Sequence, residues 1–397
     1  MDRLLSDPRS WGLMLTAMLT VMSNATITPS LPGLEAAFAD DPLAPTITRL
    51  LITAPSLLVA VVAPLAGVLT DRLGRRRPLL WGLVIYAVAG TAGLYLPTIE
   101  AILASRLALG LGVALIMTAQ AALIGDYFDG PARGRLMGYQ MASTNLGGLL
   151  FVTAAGALAA SDPRLPFAIY ALAVPLFPLL WRILPEPPRL GGREHCVLPD
   201  LPADPGWRMV AGVMAGAAGL TFVIFYAVPT QLPYHLGGIG LDDPRHAGAV
   251  MGAMMASAAV MSVVSGLIRL GRIATPVTGY ALLALGFAAI ALAQSLAIAM
   301  AGAALIGAGL GFCIPTFITA ALNASPARYR GLVSGLITSA IFLGQFLSPL
   351  ASTPLVAHLG YPGAFLAGAA GFVILALALV AMLRRQAPAL QVKRISE

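Results

Sequence analysis

Apolar residues fall along this chain in continuous runs, each close to the roughly 20 residues that a helix needs to cross a hydrocarbon core. The runs do not alternate with polar positions, as the strands of a membrane barrel would. They predict twelve transmembrane helices, at 11–33, 48–70, 78–97, 101–126, 135–160, 165–184, 208–233, 246–268, 274–295, 298–323, 331–357 and 362–383. Helices satisfy their own backbone polar groups, which lipid cannot do for them. The expected fold class is therefore an all-α integral membrane protein. Arg3 and Arg9 before the first run imitate a secretory leader, but the run is too long for one and continues through Asn24 to Pro32, so it reads as a retained helix.

Composition narrows this further. Of 397 residues, 58% are hydrophobic and only 10% charged, where a soluble domain carries about 25% charged residues; an ordinary soluble enzyme and a disordered chain are both excluded. The net charge of +7 would in a soluble chain point to nucleic acid, but here the placement of the charges gives a different meaning. Twenty basic residues, among them Arg9, Arg72, Arg75, Arg133, Arg182, Arg208, Arg330 and Lys393, fall on one face of the predicted topology, and only Arg49, Arg164 and Arg245 on the other. That bias puts both termini in the cytoplasm. The expected partners are the lipid bilayer of a bacterial inner membrane and a small molecule, with no nucleic acid, and a monomer is expected.

Residues 185–207 hold six prolines and read as a cytoplasmic linker. They separate an N-terminal six-helix bundle (1–184) from a C-terminal bundle with a short tail (208–397). His195 and Cys196 in the linker read as solvated residues, and Cys196 with Cys313 makes no disulfide framework or metal site. No cofactor is expected.

The two bundles repeat one another at an offset of 197 residues. Pro32 matches Pro229, Arg72 matches Arg269, Gly74 matches Gly271, Arg75 matches Arg272 and Gly82 matches Gly279. The same offset pairs Gly110 with Gly307, Gly112 with Gly309, Arg133 with Arg330, Gly138 with Gly335 and Gly147 with Gly344. A duplicated six-helix unit implies two bundles about an axis along the membrane normal, with a site between them near the midplane.

The second and third spans are joined by Gly67-Val68-Leu69-Thr70-Asp71-Arg72-Leu73-Gly74-Arg75-Arg76. This matches G-x-x-x-D-R-x-G-R-R throughout, and with the repeat it makes the chain resemble the major facilitator superfamily over nearly its whole length, most closely its drug and metabolite exporters. Gly67 admits close helix approach. Asp71 is placed to meet the positive N-terminus of the span starting near Arg330, and Asp126 to pair with Arg75. The resemblance implies that Gly67, Asp71, Arg72, Gly74, Arg75, Asp126 and Arg330 form a conformational latch; the alternative is that the arginines anchor topology alone. Arg106 is the one charge placed well inside a span. By resemblance it is the arginine of an R-x-x-x-G motif, Arg106 to Gly110, with a part in proton coupling or in holding an anion; the alternative is an arginine snorkelling to the interface.

Two departures from the family pattern bear on coupling. Met22-Ser23-Asn24-Ala25-Thr26-Ile27-Thr28 has no acid where many proton-driven exporters carry one, and Ser143-Thr144-Asn145-Leu146-Gly147-Gly148 keeps only the glycine pair of the antiporter signature. The proton-coupling candidates are then Arg106, Glu35 and Asp126, with His235, His246 and His358 reading as interfacial residues.

By the same resemblance the cavity lies among spans one, four, seven and ten. The substrate-binding candidates are Asn24, Thr28, Arg106, Phe222, Phe225, Tyr226, Phe312 and Gln345, with Thr316, Thr319, Asn323, Gln140, Thr144 and Asn145 as weaker ones; packing is the competing reading for the aromatics. No nucleotide loop, metal cluster or Ser/His/Asp set suggests an enzyme. The expected function is export of a small amphipathic or anionic organic molecule by alternating access, with proton antiport as the candidate drive. Uptake or facilitated diffusion of an organic anion, and a transporter-like sensor, stay open as alternatives.

Overall fold

A computed structural model describes residues 4, 6–187, 206–267, 274–326 and 329–395, with side chains described except at 131, 263, 265–267 and 382–395. Most of the predicted linker, including His195 and Cys196, lies outside the described residues, as do the repeat partners Arg269, Gly271 and Arg272.

The described chain is helical. In the N-terminal bundle α1 is Pro8–Ala25, α2 Leu31–Ala37, α3 Ala44–Leu73, α4 Arg76–Thr91, α5 Ile99–Tyr127, α6 Gly130–Ala159 and α7 Ala173–Ile183. In the C-terminal bundle α8 is Trp207–Phe225, α9 Ala227–Gly238, α10 Pro244–Leu267, α11 Ala274–Ala291, α12 Leu296–Ala324 and α13 Arg330–Ile395. Among the described residues nine helical stretches are long and apolar enough to cross a membrane. The last of these is interrupted at Gly360 (φ 68°, ψ 175°), so it holds the eleventh and twelfth expected spans. The first and eighth expected spans are helical too, in α1 with α2 and in α10.

Each bundle has its own apolar core. One is built from residues such as Leu13, Leu51, Leu83, Ile116 and Tyr170, the other from residues such as Met214, Leu232, Met251, Phe287 and Phe372. The matched glycines occupy equivalent crossings in the two. A Cβ on Gly82 would come within 2.8 Å of Gly112 O, and one on Gly279 within 3.0 Å of Gly309 O. Only glycine lets these backbones approach so closely, so the repeat in sequence is a repeat in packing.

The bundles meet along two seams, α6 against α10 and α3 against α13. The seams are not uniform. Away from the Gly67–Arg76 motif, α6 and α10 touch backbone to backbone: a Cβ on Gly156 would lie 3.1 Å from Gly248 Cα, and one on Gly248 would lie 3.0 Å from Val152 O. Toward the motif end, Gly134 and Gly138 of α6 and Gly331 and Gly335 of α13 have nothing within 4 Å of where a Cβ would stand. Among the described residues, then, the seams are packed tightly at the far end and leave these four glycines uncovered at the motif end.

Candidate functional site

The site begins with a break in the first span. Pro29 and Pro32 supply no backbone N–H to Ala25 and Thr28, so α1 stops at Ala25 and a single 3₁₀ turn, Thr28–Ser30, leads into α2. Asn24 sits in the last turn of α1, where the two bundles meet. Its Nδ2 shares two protons among three acceptors, Ser56 Oγ at 3.1 Å, Tyr226 Oη at 3.2 Å and Gln345 Oε1 at 3.1 Å, and Ser56 Oγ donates to Gln345 Oε1 at 2.6 Å. Asn24 and Ser56 belong to the N-terminal bundle, Tyr226 and Gln345 to the C-terminal one. Four polar side chains from α1, α3, the α8–α9 junction and α13 thus form one hydrogen-bonded knot between the halves.

Below the knot is a small cavity of about 160 Å³. Both bundles line it. Thr20, Val21, Asn24, Ala25 and Met117 come from one, and Phe225, Tyr226, Pro229, Met251, Met254, Met255, Phe342 and Gln345 from the other. No lining residue is charged.

Four expected binding residues, Asn24, Phe225, Tyr226 and Gln345, therefore come together. Thr28, Arg106, Phe222 and Phe312 are buried but do not line this cavity. Phe222 packs on Phe225 and Tyr226 at ring distances of 5.6 and 6.2 Å, the packing role that competed for it in the sequence. Arg106 is fully buried and does not snorkel. Its Nη2 donates to Ser23 O and, at 2.8 Å, to Tyr170 Oη, and its Nε donates to Leu51 O at 3.3 Å. Pro55 is four residues after Leu51 in α3 and has no N–H, so the guanidinium takes the place of a missing helical donor. Tyr170 Oη donates to Met22 O at 3.0 Å and Tyr86 Oη to Leu19 O at 2.7 Å. The end of α1 that carries Asn24 is therefore gripped from α4, α5 and the helical turn Leu165–Leu172.

A second proline of α3 acts between the bundles. Pro64 leaves Ala60 O without its helical donor, and Ser339 of α13 donates to that carbonyl at 3.4 Å.

The far end holds a group that the sequence reading missed. Arg49, counted by sequence on the outer face at the start of the second span, lies inside α3 and is only 8% exposed. It pairs with Glu35 of α2 at 3.4 Å, donates to Gln231 Oε1 of α9 at 3.3 Å, and stands 4.4 Å from the ring centre of Tyr234. Gln231 Nε2 in turn donates to Ser352 and Thr353 of α13 at 3.1 and 3.2 Å. This chain of contacts runs from one bundle to the other. Opposite charges flanking the first predicted loop were its only sequence signal. His235 is buried against Ile290 O at 2.9 Å, not interfacial as the sequence suggests.

At the motif end Arg75 bonds both Asp71 and, at 3.0 Å, Asp126. Burial works against the charge of Arg75, but these hydrogen bonds outweigh it and hold its pKa above the ordinary arginine value. The cluster stays within the N-terminal bundle: Asp71 is 71% exposed and Arg330, the first residue of α13, is exposed. Gly67 lies 3.8 Å, at its notional Cβ, from Thr118 of α5, and Arg72 is exposed at the end of α3. Gly74 takes φ 92°, and a side chain there would overlap Glu186, whose carboxylate accepts from Arg75 N and Arg76 N and so caps the start of α4. Sequence reading missed Glu186, which is distant from the motif in the chain.

The comparisons agree with this architecture. The chain is 25% identical over 354 residues to the class C tetracycline resistance protein of Escherichia coli, covering 86% of this chain and 88% of that one. It is 32% identical over 180 residues to multidrug resistance protein 1 of Bacillus subtilis, covering 41% and 46%, so the match spans about half of that relative. Among solved structures, a D-xylose–proton symporter superposes with a TM-score of 0.77 at 18% identity, covering 94% of this chain and 96% of that one. An inward-facing bacterial homologue of the human lysosomal transporter Spinster gives 0.75 at 17% identity, covering 94% and 96%. The sequence signature of the Major Facilitator Superfamily matches residues 13–349 and 221–397, and the chain belongs to that superfamily of membrane transporters.

Proposed function

We propose that this transporter exports small amphipathic organic molecules across the bacterial inner membrane by alternating access, with both termini and the motif end in the cytoplasm. The observation that carries the reading is a cavity lined by both bundles, with the seams between them packed at the far end and glycines left uncovered on α6 and α13 at the motif end. Rocking of one bundle against the other would part the far-end contacts, break the Asn24 knot and close the α6–α10 and α3–α13 seams at the motif end. The named relatives support export, since two of them are resistance proteins. The uncharged lining favours amphipathic over anionic cargo.

Protons are the proposed driving ion. Of the carboxylate candidates, Glu35 is the better placed, because protonating it would remove one charge from the pair with Arg49 and loosen the far-end closure. Asp126 at the motif end, with Asp71 and Arg75, is proposed as the latch that engages α13 near Arg330 once that end closes. Arg106 is proposed to act through the end of α1.

Transport by inverted vesicles tests the reading. Vesicles acidified inside should accumulate tetracycline only when they contain the protein, and nigericin should abolish the accumulation. Downhill flux without accumulation would replace the antiporter with a facilitator, and no protein-dependent flux of any amphipathic probe would refute export.

A further inference from the structure

The cavity's hydrogen-bonding groups are arranged with a polarity. Gln345 Oε1 is engaged by both Asn24 Nδ2 and Ser56 Oγ. An amide held by its oxygen presents its Nε2 protons elsewhere, and Gln345 lines the cavity. Tyr226 Oη accepts from Asn24, so its own proton is left to donate, and Tyr226 lines the same cavity. Both groups therefore offer donors, and both belong to the C-terminal bundle. Around them are Phe225, Phe342 and a methionine cluster including Met117 and Met255. These are soft, polarisable groups suited to an aromatic face.

We infer that the cargo, taken as bound in the cavity proposed above, is a neutral aromatic molecule bearing a hydrogen-bond acceptor such as a carbonyl, received by Gln345 Nε2 and Tyr226 Oη. A cation or an anion would lose its hydration in a lining with no counter-charge. A plain hydrocarbon would leave the two donors unpaired, and an unmade buried hydrogen bond is costly.

The knot adds a dependence on conformation. Asn24 and Ser56 come from the opposite bundle and fix which way the two donors point. When the far end opens and the bundles part there, Gln345 and Tyr226 lose these partners and their orientation. Asn24 and Ser56 are thus positioning residues that make the acceptor site good in the present conformation and poor in the other, the difference in affinity that a population shift requires.

Equilibrium binding to the full-length protein in nanodiscs tests this with four probes of similar size: coumarin, naphthalene, coumarin-3-carboxylate and a trimethylammonium-substituted coumarin. Coumarin should bind about fivefold tighter than naphthalene, as one net hydrogen bond allows, and tighter than either charged probe. Tyr226→Phe and Gln345→Leu should each narrow the coumarin preference while leaving naphthalene binding intact, which also shows that the variants fold. Asn24→Leu should narrow the preference likewise without touching a donor itself. Equal binding of coumarin and naphthalene, or tighter binding of a charged probe, would overturn the inference while leaving the cavity as a site. Failure of all four probes to bind would overturn the cavity assignment and the inference with it.

Discussion

Arg106 shows how one residue type carries two readings until its neighbours are seen. In sequence it is a buried cation, and burying an unpaired charge is so unfavourable that a functional counter-ion is the natural expectation. In the fold its partners are backbone carbonyls freed by the end of α1 and by Pro55, together with Tyr170. The prolines that invite the arginine are far from it in the chain, which is why spacing alone could not find them. Arg106→Ala strips a charged donor from three buried acceptors at about 2 kcal/mol or more. It should lower the melting temperature in detergent and abolish transport. Arg106→Lys should recover only part of both, since a single ammonium does not reproduce the planar fork. A variant Arg106→Ala with wild-type melting and flux would remove the residue from this role.

At the scale of elements, the seams between α6 and α10 and between α3 and α13 decide which end is closed. Gly248 makes this testable, because any side chain there must push α10 away from Val152 and Gly156 of α6. Gly248→Leu should part the far end, read as a longer distance between spin labels at exposed Ser161 and Asp242; an unchanged distance would show that this seam does not hold the closure. At the other end, Asp71→Asn should leave the protein folded but slow turnover several-fold in proteoliposomes, and unchanged turnover would reduce the motif to a topology signal.

The helices themselves were legible from hydrophobic run length, and the crossings from the glycine repeat, because both are local or periodic properties. The knot was half legible. Asn24, Tyr226 and Gln345 stood out as polar groups within apolar runs, while Ser56 did not, since serine is unremarkable in a membrane helix. Arg49 and Glu35 were legible as charges but not as partners, because their pairing depends on how α2 sits against α3 after the proline break. Thr28 was assigned to the cavity by the face it would share with Asn24 on a regular helix, and Phe312 by its place near the middle of the tenth span. The break at Ala25 rotates the first of these away, and nothing in the structure explains the second beyond its burial in the C-terminal bundle.

For the whole molecule, the duplicated bundles, the cavity between them and the one-sided closure form a single mechanical argument. Two similar rigid bodies in contact along two seams can rock, and a site at their interface then faces one side at a time. The most direct measurement is the sidedness of the cavity itself. In a Cys196→Ser, Cys313→Ala background, Met255→Cys places a thiol in the cavity lining, to be labelled with a membrane-impermeant methanethiosulfonate reagent in inverted vesicles and in spheroplasts. The account predicts labelling from both sides, strong from the cytoplasmic side and weaker from the periplasmic side, with coumarin protecting in each case. Labelling confined to one side under every condition would contradict alternating access.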